Sequence, residues 1–351
     1  MPHSKFSPGA QNIPTMKDVA KAVGVHQTTV SRALRNASSV SPAMREKIRE
    51  TADRMGYRTN PLLSALGTLR RKRADTLYET PIAYLLHESQ ASARHLKGAQ
   101  DAARQRGFKI DLFHYSDSAS VQRINRILTA RNILGIIIGP LPQAHGHFQL
   151  DWERFCTVVI EYSFNEPRFD RVVTDSYRTM LMAVEHCLEH GYQRIGLVLS
   201  KVVDDRNEGL LSAAYWREQM RWRSMTGLPI LILEEWNENK FEKWMKKASP
   251  EVIVTSNTLI YDISGWLKQN RYHVPKNMGL LNLNVANNRI YSGICQDSPA
   301  IGATAAALLI EKLNHNDSGI PVRRKTILTD GIWQDGRTLR HLDGASKVRK
   351  K

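Results

Sequence analysis

The residues best placed to do chemistry form a short run near the start of the chain, QTTVSRALRN from Gln27 to Asn36. At helical spacing Val30, Ala33 and Leu34 share one face, while Gln27, Thr28, Thr29, Ser31, Arg32 and Arg35 share the other. That polar face holds no carboxylate. Short donors and acceptors near its start suit base edges in a DNA major groove, and the arginines suit phosphates. A second group stands directly after strand-like apolar runs: His87 and Glu88 after IAYLL, Glu161 after TVVI, Asn257 after VIVTS and Asn284 after GLLNL. Ligands of α/β sheets bind outside the carboxyl ends of the strands, and carboxylates and amides there can bond vicinal hydroxyls.

Enzyme motifs are missing: the chain has no GxGxxG, GxxxxGK[ST], GxSxG or HExxH. His145 and His147 lack the further ligands a metal would want, and Asp204-Asp205 and Glu234-Glu235 are adjacent pairs whose side chains point apart. Cys156, Cys187 and Cys295 are odd in number, widely spaced and without CxxC, which argues against a disulfide framework and for a reducing cytoplasm. No catalytic residue, cofactor or metal is expected.

The elements that must position the polar run read as three helices over residues 15–59. Thr15 is an N-cap candidate with Asp18 three residues on, and Val19, Ala20 and Val23 form the first apolar stripe. Gly24 makes the turn and Val25 plugs it. Ser41 and Pro42 restart a helix as cap and first residue, Met44, Ile48, Ala52 and Met55 form its stripe, and Gly56 ends it. This is helix-turn-helix anatomy. Charge agrees: residues 1–73 hold 14 basic and 4 acidic side chains, out of 50 and 34 in the whole chain, whose net charge is +16. A basic head on a nearly balanced body points to a polyanion partner.

Residues 60–74 (NPLLSALGTLRRKRA) carry an Asn60-Pro61 start and leucines at 62, 63, 66 and 69. So short a helix is marginal alone and folds only against something else. From Pro81 onward short apolar strands alternate with amphipathic helices, which argues for parallel sheets covered on both faces. The 351 residues, 42% of them hydrophobic, exceed one core, so the α/β body is expected in two lobes. No apolar run approaches the ~20 residues of a membrane helix, and the first twenty residues lack a secretory apolar stretch.

The segment MKDVAKAVGVHQTTVSRALRN…VSPAMREKIRETADRMGYRTNP closely resembles the head of lactose-repressor and galactose-repressor type bacterial transcription regulators, over residues 15–66. The resemblance implies an operator-binding head at 15–59 and a hinge helix at 60–74. It also implies a periplasmic-binding-protein-like effector body, with one lobe from 81–172 plus 299–330 and the other from 173–298. Residues 1–14 and 337–351 are left as disordered tails. By family position Gln27 and Thr28 read bases, and Thr29, Ser31 and Arg32 contact phosphates and bases. Leu66 wedges into the minor groove, and Thr15, Arg35, Tyr57 and Asn60 complete the DNA-contact set. His26 stands where the family usually has a serine cap, so a weaker helix start is expected.

In the body, Glu161, Asn257 and Asn284 fall on positions that bond ligand hydroxyls in sugar-responsive members. The family's aspartate near the last strand is Asn284 here, its cleft arginine is replaced near Leu211, and HESQASARH lacks the usual Asn-Pro-aromatic. With Glu161 expected to repel anions, the implied effector is a neutral sugar. The implied protein is a cytoplasmic homodimeric regulator, a repressor, on a pseudo-palindromic double-stranded operator, with no membrane partner. The alternatives are a regulator that has lost its small-molecule response, a sugar-binding receptor, or an enzyme on a similar core.

Overall fold

The computed structural model describes residues 16–34, 40–55, 57, 80–89, 94–285 and 290–341. The chain divides near residue 79 into two compact units. In the first, α1 (Met16–Val23), α2 (Gln27–Leu34) and α3 (Pro42–Arg54) bury Val19, Ala20, Val30, Ala33, Val40, Ile48 and Ala52 together. Gly24 turns between α1 and α2 at φ 76°, letting the amides of Gly24 and Val25 both reach the Ala20 carbonyl, each at 3.0 Å. Ser41 caps α3, its hydroxyl accepting from the Met44 amide at 3.4 Å, with Pro42 following as expected. The expected cap at Thr15 and the helix end at Gly56 lie outside the described residues.

The second unit runs β1 (Thr80–His87), α4 (Arg94–Arg104), β2 (Phe108–Tyr115), α5 (Ser118–Ala130), β3 (Gly135–Ile138), β4 (Gly146–His147), β5 (Cys156–Ile160), β6 (Phe164–Glu166) and β7 (Asp170–Thr174). It continues α6 (Ser176–Glu189), β8 (Ile195–Ser200), α7 (Lys201–Arg206), α8 (Leu210–Arg221), β9 (Leu231–Leu233), α9 (Glu238–Ala248), β10 (Val252–Thr255), α10 (Ile260–Gln269), β11 (Gly279–Asn282) and β12 (Ser292–Cys295). Last come α11 (Ser298–His315), β13 (Thr326–Thr329) and β14 (Ile332–Gln334).

Among the described residues these strands make two six-stranded sheets, ordered β2-β1-β3-β5-β7-β13 and β9-β8-β10-β11-β12-β14, and a two-stranded sheet of β4 and β6. Every pairing is parallel except β12 with β14. Both faces of each six-stranded sheet are covered, as all-apolar strands require. Ile137 packs with α4 and α11 on one face while Ile136 and Ile138 pack with α5 on the other. In the second sheet Val252 and Val254 face α6 and α8, and Ile253 faces α9 and α10. Helices α4 and α11 cross at Gly98 and Gly302, where an added Cβ would run into the Pro299 and His95 carbonyl oxygens, so only glycine permits that approach.

Two boundaries differ from the sequence reading. Strand β7 continues to Thr174, two residues past the expected lobe limit at 172, because it must pair with both β5 and β13. Residues 337–341, read as the start of a tail, are instead built into the second lobe. Leu339 is buried in its core, the Thr338 hydroxyl accepts from the Ser292 amide at 2.9 Å, and Arg340 lies 3.9 Å over the Tyr192 ring. Residues 1–14 and 342–351 lie outside the described residues.

Candidate functional site: recognition helix and interlobe cleft

Helix α2 keeps Val30 and Ala33 inside and leaves Gln27, Thr28 and Arg32 exposed, with Thr29 half-buried. The side chain of Ser31 is outside the described set, as are Thr15, Arg35, Asn60 and Leu66. Tyr57 is half-buried against the head core, its amide bonded to the Ala52 carbonyl at 2.8 Å, and burial raises its phenol pKa.

His26 caps α2 by a route the sequence reading missed. Its carbonyl accepts from the Thr29 amide at 2.8 Å, and its ring Nδ1 accepts from the Thr28 amide at 3.4 Å. The Thr28 hydroxyl lies 2.9 Å from the same nitrogen. An imidazole nitrogen thus does the work of the missing serine oxygen, and an accepting Nδ1 places the neutral ring's proton on Nε2. The expected weak start is therefore corrected: the ring caps the helix and tethers the Thr28 hydroxyl.

In the body a cavity of about 490 Å³ opens between the two six-stranded sheets. Its lining brings together Glu161, Asn257 and Asn284 from the expected set, and adds Arg94, His95, Thr174, Arg206, Ser256, Thr258, Asn282, Tyr291 and Gln296. His87 and Glu88 do not line it. The His87 ring packs edge-on against Tyr115, with Nδ1 2.8 Å from the Ser89 hydroxyl, and Glu88 is exposed with its amide on the Tyr115 carbonyl. The turn after β1 folds back on itself, so these two strand-end residues leave the site.

Glu161 follows β5 in a left-handed conformation at φ 63°, and its carboxylate turns toward β7. There both oxygens lie 3.3 Å from the Thr174 amide, and one accepts from the Thr174 hydroxyl at 2.8 Å. Burial raises its pKa, opposed by the Thr174 bonds and by Arg206 and Arg171. The carboxylate expected to face a ligand is engaged by the protein itself. The family's missing arginine also has a counterpart. Leu211 does line the cavity, but α7 places the largely buried Arg206 beside it. Burial draws Arg206 below the ordinary arginine value, with Glu161 opposing. Burial, with Arg94 adding to it, brings His95 down to about 4, so this imidazole is neutral at pH 7.

A bridge joins the lobes beside the cavity. Arg171 on β7 donates to both carboxylate oxygens of Glu208, which follows α7, at 2.9 and 3.4 Å. Its guanidinium also lies 4.2 Å over the Tyr162 ring and donates to the Thr326 hydroxyl at 3.3 Å. Nearby the Ser176 hydroxyl donates to the Asn207 amide oxygen at 2.8 Å. Among the described residues no group of three or more His, Cys, Asp or Glu could hold a metal, and no helix is long and apolar enough to cross a membrane.

Residues 15–60 match the family described as bacterial regulatory proteins, lacI family. Over 322 residues, 85% of this chain and 91% of the relative, the sequence is 21% identical to the HTH-type transcriptional repressor PurR of Actinobacillus pleuropneumoniae serotype 3 (strain JL03). The fold is similar to that of a transcriptional regulator CelR–cellobiose complex, with TM-score 0.57, 16% identity, and 93% of this chain and 99% of that one covered. It is also similar to the Lac repressor dimer bound to operator and the anti-inducer ONPF, with TM-score 0.55, 17% identity, and coverage of 93% and 98%. The similarity of fold to these structures covers the two-lobed α/β body. Each of the three proteins is described as a regulator or repressor of transcription.

Proposed function

We propose, on the premise that the chain belongs to the lacI family of bacterial regulatory proteins, that it is a cytoplasmic, homodimeric repressor of transcription. Its operator affinity is set by a small hydroxyl-bearing ligand, of the sugar class, held between the lobes. The observation that carries this is α2, whose exposed Gln27, Thr28 and Arg32 stand on a helix with no carboxylate, within a head matched over 15–60. Gln27 and Thr28 read base edges, Arg32 holds phosphate, and a two-fold dimer reads a pseudo-palindrome. The neighbours described with operator and with cellobiose support the two halves of this reading. Ligand closes or reorders the lobes, this changes the pairing of residues 60–74 on DNA, and operator changes ligand affinity by the same factor.

Selection from random double-stranded DNA tests it. The full chain is expected to enrich a pseudo-palindrome, and Gln27→Ala with Thr28→Ala to change the consensus at symmetric positions. Arg32→Ala is expected to weaken all sites alike and to lower the salt slope by about one unit. An identical consensus for wild type and the double variant would refute the assignment of α2. A consensus that no ligand alters would favour a regulator without small-molecule response.

A further inference from the structure

The cleft holds a cation that the protein does not neutralise. Arg206 lines the cavity and is largely buried, yet among the described residues no hydrogen bond or ion pair reaches its guanidinium. Two other arginines of the body are answered by carboxylates, Arg171 by Glu208 and Arg131 by Asp111, the latter at 2.8 Å. Glu161 is within electrostatic reach of Arg206, but its oxygens are held by Thr174 and no ion pair closes between the two. The Arg206 guanidinium opens on the cavity with no protein partner among the described residues, and its planar fork matches a carboxylate or phosphate.

We propose that the ligand of this cleft carries an anionic group, a carboxylate or a phosphate on a small hydroxylated skeleton, and that Arg206 receives it. The inference rests on reading the cleft as the effector site. Among the lining residues Arg94 and Arg206 face one carboxylate, Glu161, and His95 is neutral at pH 7, so the cavity carries a positive surplus. Asn257 and Asn284 remain for hydroxyls, their amides both donating and accepting. The volume of about 490 Å³ suits a ligand of sugar size with one added group. The neutral ligand expected from sequence rested on a Glu161 carboxylate repelling anions in the cleft and on a guanidinium lost at Leu211. The structure turns the first toward Thr174 and supplies the second from α7.

The test uses the full chain and matched probes at constant ionic strength: D-glucose, D-gluconate and D-glucose 6-phosphate, with the galactose and ribose series alongside. Thermal stability ranks them and isothermal titration measures affinity. At least one acid or phosphate is expected to bind about tenfold or more tighter than its neutral parent. Arg206→Gln is expected to lose about tenfold for that anion and little for the parent, and Arg206→Lys to retain part of the gain. The two anionic arms tell carboxylate from phosphate. Neutral parents binding as tightly as their anions, an unchanged anion affinity in both Arg206 variants, or no anion bound at about 10 mM would each overturn the proposal. An anion held at Arg206 that leaves DNA affinity unmoved would defeat the regulatory reading instead. A neutral sugar that modulates DNA binding would do the reverse.

Discussion

Removing Glu208 is predicted to loosen the two lobes, and the size of the effect follows from the exposure of its bridge. Arg171 has 5% of its side-chain surface exposed and Glu208 has 39%. Breaking a fully buried pair costs ~3–5 kcal/mol, whereas an exposed pair is worth ~0–1. With one partner more than a third exposed, solvent screens the pair, and Glu208→Gln should cost ~1–2 kcal/mol, about 5–30-fold in the closed-to-open equilibrium. Arg171→Met should cost at least as much, since it also gives up the Tyr162 face and the Thr326 hydroxyl. A double-mutant cycle by urea unfolding isolates the coupling, and hydrogen exchange of cleft-lining amides reports the opening. The pH dependence has a definite sign. Burial acts to raise the Glu208 pKa, but the hydrogen bonds and charge of Arg171, with Arg324 and His145, hold it below the usual glutamate value. A carboxylate depressed in the folded state contributes fully above its unfolded pKa and loses that contribution as pH falls through the folded value. Opening should therefore increase below the ordinary glutamate range and stay level from about pH 6 to 8. A coupling under about 0.3 kcal/mol, or exchange unchanged in both variants, would refute the bridge as a latch.

Three further outcomes are expected. Asp170→Ala removes the buried carboxylate that accepts from Lys312 at 2.9 Å and from the Lys325 amide at 2.7 Å, and should cost ~3–5 kcal/mol in urea unfolding; a loss under ~1 kcal/mol would show that the pair is not structural. His26→Ala should lower head stability by ~0.5–2 kcal/mol and weaken specific DNA binding more than non-specific binding, since Thr28 is released; equal losses on both DNAs would separate the cap from recognition. Leu66→Ala should reduce DNA bending and specific affinity while leaving ligand binding intact, and an unchanged bend angle in a circular-permutation gel would contradict the wedge role.

The head was legible because local rules decide it. Gly24 turns, Ser41 caps and Pro42 follows by interactions within four residues, and the apolar spacing of Val30 and Ala33 selects the buried face. The alternation of strands and helices in the body was legible for the same reason. The elements that escaped are those fixed by distant partners. Helix α7 spans six residues with no buried side chain, so no periodicity announces it, yet it brings Arg206 to the cleft. Strand β14 has only exposed or half-buried residues and exists because β12 needs an antiparallel neighbour. Glu161 stood at the strand end where a ligand contact was expected, but its direction depends on Thr174 across the β5–β7 pairing. His87 and Glu88 obeyed the strand-end rule and still missed the cavity, because the turn that follows them closes on Ser89.

The claim that binds head and body together is coupling, and one paired measurement tests it most directly. The selected operator duplex is titrated with and without the probe that most stabilises the wild type, and that probe is titrated with and without operator, all at one salt concentration. The two affinities are predicted to shift by the same factor, about 5–150-fold, and Arg206→Gln to abolish both shifts together while operator binding without the probe persists. Operator affinity independent of the probe, with the probe still bound, would contradict it.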